Sequence, residues 1–156
     1  MHKFAKGSYF SDNGAPTSDR FDCRDPESLA AFYSGLLHYV LQPPPKGFAS
    51  WEEPLKSWRV PEEDWNFART IVDPEGKGPR IYFQKMNTPK SGKNRVHLDM
   101  NASGGSKMSP KERRKKVNDE VTRIMKLGAS KQKEWEEQGD YWVVLLDPEG
   151  NEFCVQ

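Results

Sequence analysis

His97 lies in the run "NRVHLDM", and if that run is extended, side-chain alternation puts Arg95 and Asp99 on the face that carries the imidazole. An imidazole with a carboxylate beside it is equipment for general-base chemistry, and an arginine on the same face can pair with the carboxylate or orient a polar ligand. The run "RFDC" repeats the arrangement with Arg20 and Asp22. Buried charge is costly unless paired, so Arg–carboxylate contacts are expected within or between these pairs, either tying the chain together or tuning His97. Further along, "EFCV" adds Glu152 and Cys154, and "RIYFQ" places Tyr82 and Gln84 on one strand face. His97, with Asp99 or Glu152 assisting, is the candidate catalytic group. Cys154 is a small, semi-apolar filler whose thiol turns reactive only if its pKa is lowered.

Local rules say what must position these residues. Asp25 can cap a helix that has Pro26 in its first turn, and Leu29, Phe32, Tyr33, Leu36 and Leu37 fall at the spacing of an apolar helical stripe. A second helix opens on the capping box of Ser109 and Glu112. It carries Val117, Val121, Ile124 and Met125 as its stripe and reaches Gly128 at its end. The basic run from Lys111 to Lys116 falls on its first turns and reads as a solvated helix face. Strands are expected at "RFDC", "NFARTIV", "RIYFQKM", "NRVHLDM", "YWVVLL" and "EFCV", with short ones near "HYVLQ" and "GASKQKEW". The phrase Asp-Pro-Glu-Gly occurs twice, at Asp73 and at Asp147, each time between two strands, as a hairpin turn requires. Each half therefore reads strand, helix, strand, strand, strand, and the chain is an internal repeat. The first half carries an insertion, "PPPKGFASWEEPLKSWRVPEEDW", too long for an ordinary connection. Its Trp51, Trp58 and Trp65 suggest a lid for a planar or apolar ligand, while Trp135 and Trp142 come from the second half.

Composition narrows the partners. With 24 Lys+Arg against 23 Asp+Glu in 156 residues, no global field recruits nucleic acid or an anionic membrane, and a small molecule or a protein is the expected partner. No run approaches the roughly 18 apolar residues of a membrane span, and the opening lacks the apolar run of a signal peptide, so the expected location is cytoplasmic. Cys23 and Cys154 lie far apart with no metal-type spacing and are expected as free thiols.

The βαβββ pair, with "DPESLAAFY" after the first strand, "KNRVHLDM" opening the second half and "VVLLDPEGNEFCV" closing it, resembles the vicinal oxygen chelate superfamily, particularly its glyoxalase-like domains. The resemblance covers roughly 18–155. It implies an α+β fold of two tandem βαβββ modules, as in the glyoxalase, bleomycin resistance and dihydroxybiphenyl dioxygenase proteins, forming a shared cleft. The expected layout is a tail over 1–17 and one domain over 18–156, with module one at about 18–88 and module two at about 93–156. In that superfamily four inward side chains can hold a divalent ion. Here those positions fall on Ser18 or Arg20, on Gln84, on His97 and on Cys154, the last where metal-dependent members carry Glu. Only His97 is a clear match and Gln84 a weak candidate. No cofactor is therefore expected, although the resemblance admits zinc, nickel, manganese or iron.

Three functions fit these residues. The first is a metal-independent small-molecule-binding domain using Tyr82, Gln84, Arg95, His97, Cys154 and Trp58, with antibiotic-sequestering resistance proteins as a special case. The second is an enzyme of lyase, isomerase or dioxygenase type acting on a small oxygenated metabolite. The third is an interaction domain with a vestigial cleft. Because related proteins complete their clefts within one chain or across a dimer, a homodimer is expected.

Overall fold

The computed structural model describes residues 18–105 and 107–156. The tail expected over 1–17 lies outside them. Twelve elements follow in order: β1 (Ser18–Cys23), α1 (Pro26–Leu37), β2 (Val40–Leu41), α2 (Glu52–Ser57), a 3-10 turn (Glu62–Asp64), β3 (Ala68–Val72), β4 (Arg80–Lys85), β5 (Asp99–Met100), α3 (Pro110–Met125), β6 (Ser130–Glu137), β7 (Asp140–Leu146) and β8 (Glu152–Val155). They make two four-stranded sheets, ordered β1-β4-β3-β2 and β5-β8-β7-β6. In both, the first strand pairs parallel with the last and the others are antiparallel, so the repeat read from the sequence is a repeat of topology.

Local chemistry places the elements. Asp25 accepts a hydrogen bond from the Ser28 amide at the start of α1, and Ser109 and Glu112 close a full capping box on α3. In the two Asp-Pro-Glu-Gly turns the aspartate collects backbone donors. Asp73 accepts from the amides of Glu75, Lys77 and Gly78, and Asp147 from those of Glu149 and Asn151. Gly76 and Gly150 take the positive φ that each turn needs, +69° and +83°.

Three expected elements differ, the first being the short strand expected near "GASKQKEW", which is the eight-residue β6. The strand expected over "NRVHLDM" is reduced to Asp99–Met100, because Arg95 and Val96 form a bend. The insertion is more ordered than a loop: it contains α2 and the 3-10 turn, and its flanking indoles are anchored, Trp51 Nε1 to the Gln42 carbonyl at 2.7 Å and Trp65 Nε1 to the Val60 carbonyl at 3.0 Å. The basic start of α3 is a solvated, ion-paired face, with Arg113 against Asp140, Arg114 against Glu136 and Lys115 against Asp119.

The modules join through their helix-bearing sides. Ile81, Phe83, Val143, Leu145, Phe153 and Val155 merge with Leu29, Phe32, Leu36, Val121 and Ile124 into one core. Phe21 packs on Tyr33 at 4.8 Å, and Phe32 meets Phe153 at 6.0 Å across the module boundary. Polar groups seal the joint. The buried Tyr33 hydroxyl donates to Asp147 at 3.0 Å, the Arg123 guanidinium donates to the carbonyls of Gly35 and Leu36, and the Glu149 carboxylate accepts from the amides of Arg24 and Asp25 at 2.8–2.9 Å. The other face of each sheet therefore points outward. No helix among the described residues is long and apolar enough to cross a membrane.

Candidate functional site

In β8, Phe153 and Val155 point into the core, so Glu152 and Cys154 occupy the outward face. The parallel register sets Asp99 opposite Cys154, which puts His97, two residues earlier, beside Glu152. His97 Nε2 lies 3.2 Å from Glu152 Oε2. The approach lacks the alignment of a hydrogen bond, so this oxygen is buried with no donor directed at it. With almost no accessible surface, the oxygen has the His97 ring as its polar neighbour, and the carboxylate can orient that imidazole. The Cys154 thiol is pushed up to about 11, first by burial and then by the negative charge of its hydrogen-bonded neighbour Asp99 and of Glu152. It is protonated at neutral pH and is no nucleophile there.

On the first sheet, Ile81 and Phe83 enter the core and Arg80, Tyr82 and Gln84 face outward. The Tyr82 hydroxyl donates to Gln84 Oε1 at 3.2 Å, and Gln84 Nε2 donates to the Phe67 carbonyl at 3.4 Å. Arg80 has the parity of Tyr82 and Gln84, so the alternation that singled those two out would have found it as well. Arg20 pairs with Asp22 at 3.0 Å, the contact expected, but both side chains are 56% exposed, so it is a surface pair rather than a buried one. Asp99 instead turns to Cys154, and Arg95 is exposed in the bend before β5. Trp58 caps the C-terminal end of α2, about half exposed.

These residues form two groups on the outward faces of different sheets. His97, Asp99, Glu152 and Cys154 make one, and Arg80, Tyr82 and Gln84 make the other. Among the described residues no polar contact links the two groups. The donor set does not suit a divalent ion: no three His, Cys, Asp or Glu side chains have the geometry to hold one among the described residues, and the Gln84 oxygen is engaged by Tyr82. Ser18 and Arg20 supply no adequate first ligand. A His–Glu pair alone falls short of the three protein ligands of a usual catalytic site.

The comparisons agree with this fold. Among solved structures, a glyoxalase/bleomycin resistance protein/dioxygenase family enzyme from Burkholderia phytofirmans PsJN superposes with a TM-score of 0.56 at 19% identity, covering 88% of this chain and 94% of its own. The fosfomycin resistance protein FosX of Listeria monocytogenes, in complex with Mn(II) and 1S,2S-dihydroxypropylphosphonic acid, has a TM-score of 0.56 at 13% identity over 94% of this chain and 90% of its own. A lactoylglutathione lyase from Agrobacterium tumefaciens follows with a TM-score of 0.52 at 14% identity, over 93% and 94%. At these identities the likeness is one of fold. No curated protein matches the chain. The family model described as Glyoxalase-like domain matches residues 20–156, spanning both sheets and both groups of outward residues, and the chain belongs to that family.

Proposed function

We propose that this glyoxalase-like domain binds a small molecule on the outward faces of its sheets and does so without a resident metal. The observation that carries the reading is the His97–Glu152 pair, 3.2 Å apart and partly exposed on the face shared with Cys154. The partly exposed imidazole offers a ligand a polar contact, Glu152 stands beside it to orient it, and the neutral Cys154 thiol forms wall. Tyr82, Gln84, Arg95 and Trp58 complete the set of ligand-binding candidates. Because the two groups lie on different sheets, the proposal includes a homodimer in which sheets of two copies enclose the ligand.

A second reading, catalysis, has one observation in its favour: a partly exposed imidazole, a candidate general base toward an oxygenated substrate, has a carboxylate 3.2 Å away. Native mass spectrometry with elemental analysis of protein from its own host separates the two. The binding reading expects a co-purified small molecule and less than stoichiometric divalent metal. It also expects His97→Ala to lose the molecule while keeping fold and melting temperature, since His97 lies outside the core. Stoichiometric zinc, nickel, manganese or iron that is lost in His97→Ala would overturn metal independence and raise the enzyme reading above it.

A further inference from the structure

Four described arginines are partly buried, and three of them have a carboxylate: Arg69 has Glu27 at 3.3 Å, Arg113 has Asp140 at 3.5 Å and Arg123 has Glu120 at 2.6 Å. The fourth, Arg80, has only neutral partners among the described residues. Its Nε donates to Gln42 Oε1 at 2.8 Å, Nη2 to Thr70 Oγ1 at 3.0 Å and Nη1 to Ser18 Oγ at 3.4 Å, and its guanidinium lies 5.5 Å from the Tyr82 ring centre. These contacts fix the side chain across three strands without neutralising it. A guanidinium has five N–H donors, so one on each terminal nitrogen remains available.

A positive charge held in place and partly out of water is costly unless an anion compensates it. Burial acts on Arg80 in that sense, lowering its pKa from the ordinary guanidinium range, and only Tyr82 opposes the shift. Arg20, whose strand position is opposite Tyr82, is compensated by Asp22 at 3.0 Å, which leaves Arg80 as the guanidinium there without a carboxylate among the described residues.

We propose that Arg80 anchors an oxyanion site on the outward face of the first sheet, taking the carboxylate, phosphate or phosphonate end of a small molecule. The planar fork suits a two-oxygen contact with any of these groups. The proposal rests on the reading that the sheet faces bind a small molecule, and it narrows that molecule to one with an anionic end.

The test follows the Arg80 Nε–Hε resonance of the labelled full-length protein during separate titrations with inorganic phosphate and with acetate, chloride being used to hold ionic strength constant. A saturable shift with a midpoint of about 10 mM or lower is expected, the range of a single charge-assisted fork. The preferred anion tells phosphate-type from carboxylate ligands. The rise in melting temperature that phosphate or acetate gives the wild type should vanish in Arg80→Gln. Arg80→Lys keeps the charge but loses the fork, and should weaken binding about threefold or more, which serves if Arg80→Gln does not fold. The readout is on Arg80 itself and uses a supplied anion rather than a co-purified molecule, so failure here is distinguishable from failure of the ligand reading. The proposal is overturned by no saturable shift with either anion, by stabilisation that survives in Arg80→Gln, or by a dimer that falls apart in Arg80→Gln while neither anion binds.

Discussion

Cys154 is a case where residue type and environment point different ways. The sequence puts a thiol on the same face as His97, an arrangement that invites nucleophilic chemistry, yet its neighbours Asp99 and Glu152 are negative and burial opposes ionisation. Cys23, under α1, is raised further, to about 12, mainly by burial. Both thiols ordinarily ionise near 9.0, so above that pH the unfolded chain releases protons that the folded chain keeps. Their contribution to stability is complete below about pH 9 and is lost as pH rises through about 11 and 12. Urea denaturation should therefore show stability falling over that window, with a shallower fall in the Cys23→Ala, Cys154→Ala double variant. Alkylation of Cys154 by iodoacetamide should be slow at neutral pH and climb toward pH 11. Fast alkylation at pH 7 would mean that the carboxylates do not surround the thiol as described. Proximity could be read from strand alternation, but the sign of the electrostatics required knowing that β5 runs parallel to β8 with Asp99 opposite Cys154.

The insertion between β2 and β3 is the element that departs most from its reading as a loop. Pro and Trp density signalled an irregular segment, but the anchors of its indoles are backbone carbonyls that become available only when the chain folds back on itself. Trp51→Phe keeps an aromatic ring and removes the N–H to Gln42. It should cost about 1 kcal/mol in urea titration and speed proteolytic cleavage between positions 44 and 66. Trp58→Ala should leave the two-module core folded and weaken a verified ligand by about 1–3 kcal/mol, measured calorimetrically, if the segment closes over the site. Unchanged affinity would make the segment packing alone. The same contrast runs through the fold. Asp25, the Ser109–Glu112 box and both Asp-Pro-Glu-Gly turns were legible because each is satisfied within a few residues. The shortening of β5 to Asp99–Met100 and the three neutral partners of Arg80 were not, because they depend on neighbours far away in the chain.

Across the whole molecule, the second Asp-Pro-Glu-Gly turn does more than reverse the chain. Glu149 reaches back to the amides of Arg24 and Asp25 at the entrance of α1, while Asp147 holds the Tyr33 hydroxyl, so the closing turn of module two clamps the opening helix of module one. Glu149→Ala should cost about 2–3 kcal/mol, since hydrogen bonds to a charged acceptor are lost, yet unfolding should stay a single transition because the core is shared. Two separate transitions would mean that the modules are independent. The same joint explains the expectation of a dimer. Joined through their helix sides, the modules turn their outward faces away from the common core, and apolar side chains are left in water, Val96 at 77% exposure and Trp135 at 45%. A two-fold axis can set the first sheet of one copy against the second sheet of another, so that one self-complementary contact makes two equal clefts, each with an Arg80 group on one wall and a His97–Glu152 pair on the other. Sedimentation velocity at micromolar concentration should then give twice the chain mass, and Val96→Glu should shift the boundary toward monomer without lowering the melting temperature of the monomer itself. A boundary that stays monomeric for the wild type across that range would leave each outward face to bind alone, and the two-walled cleft would have to be abandoned.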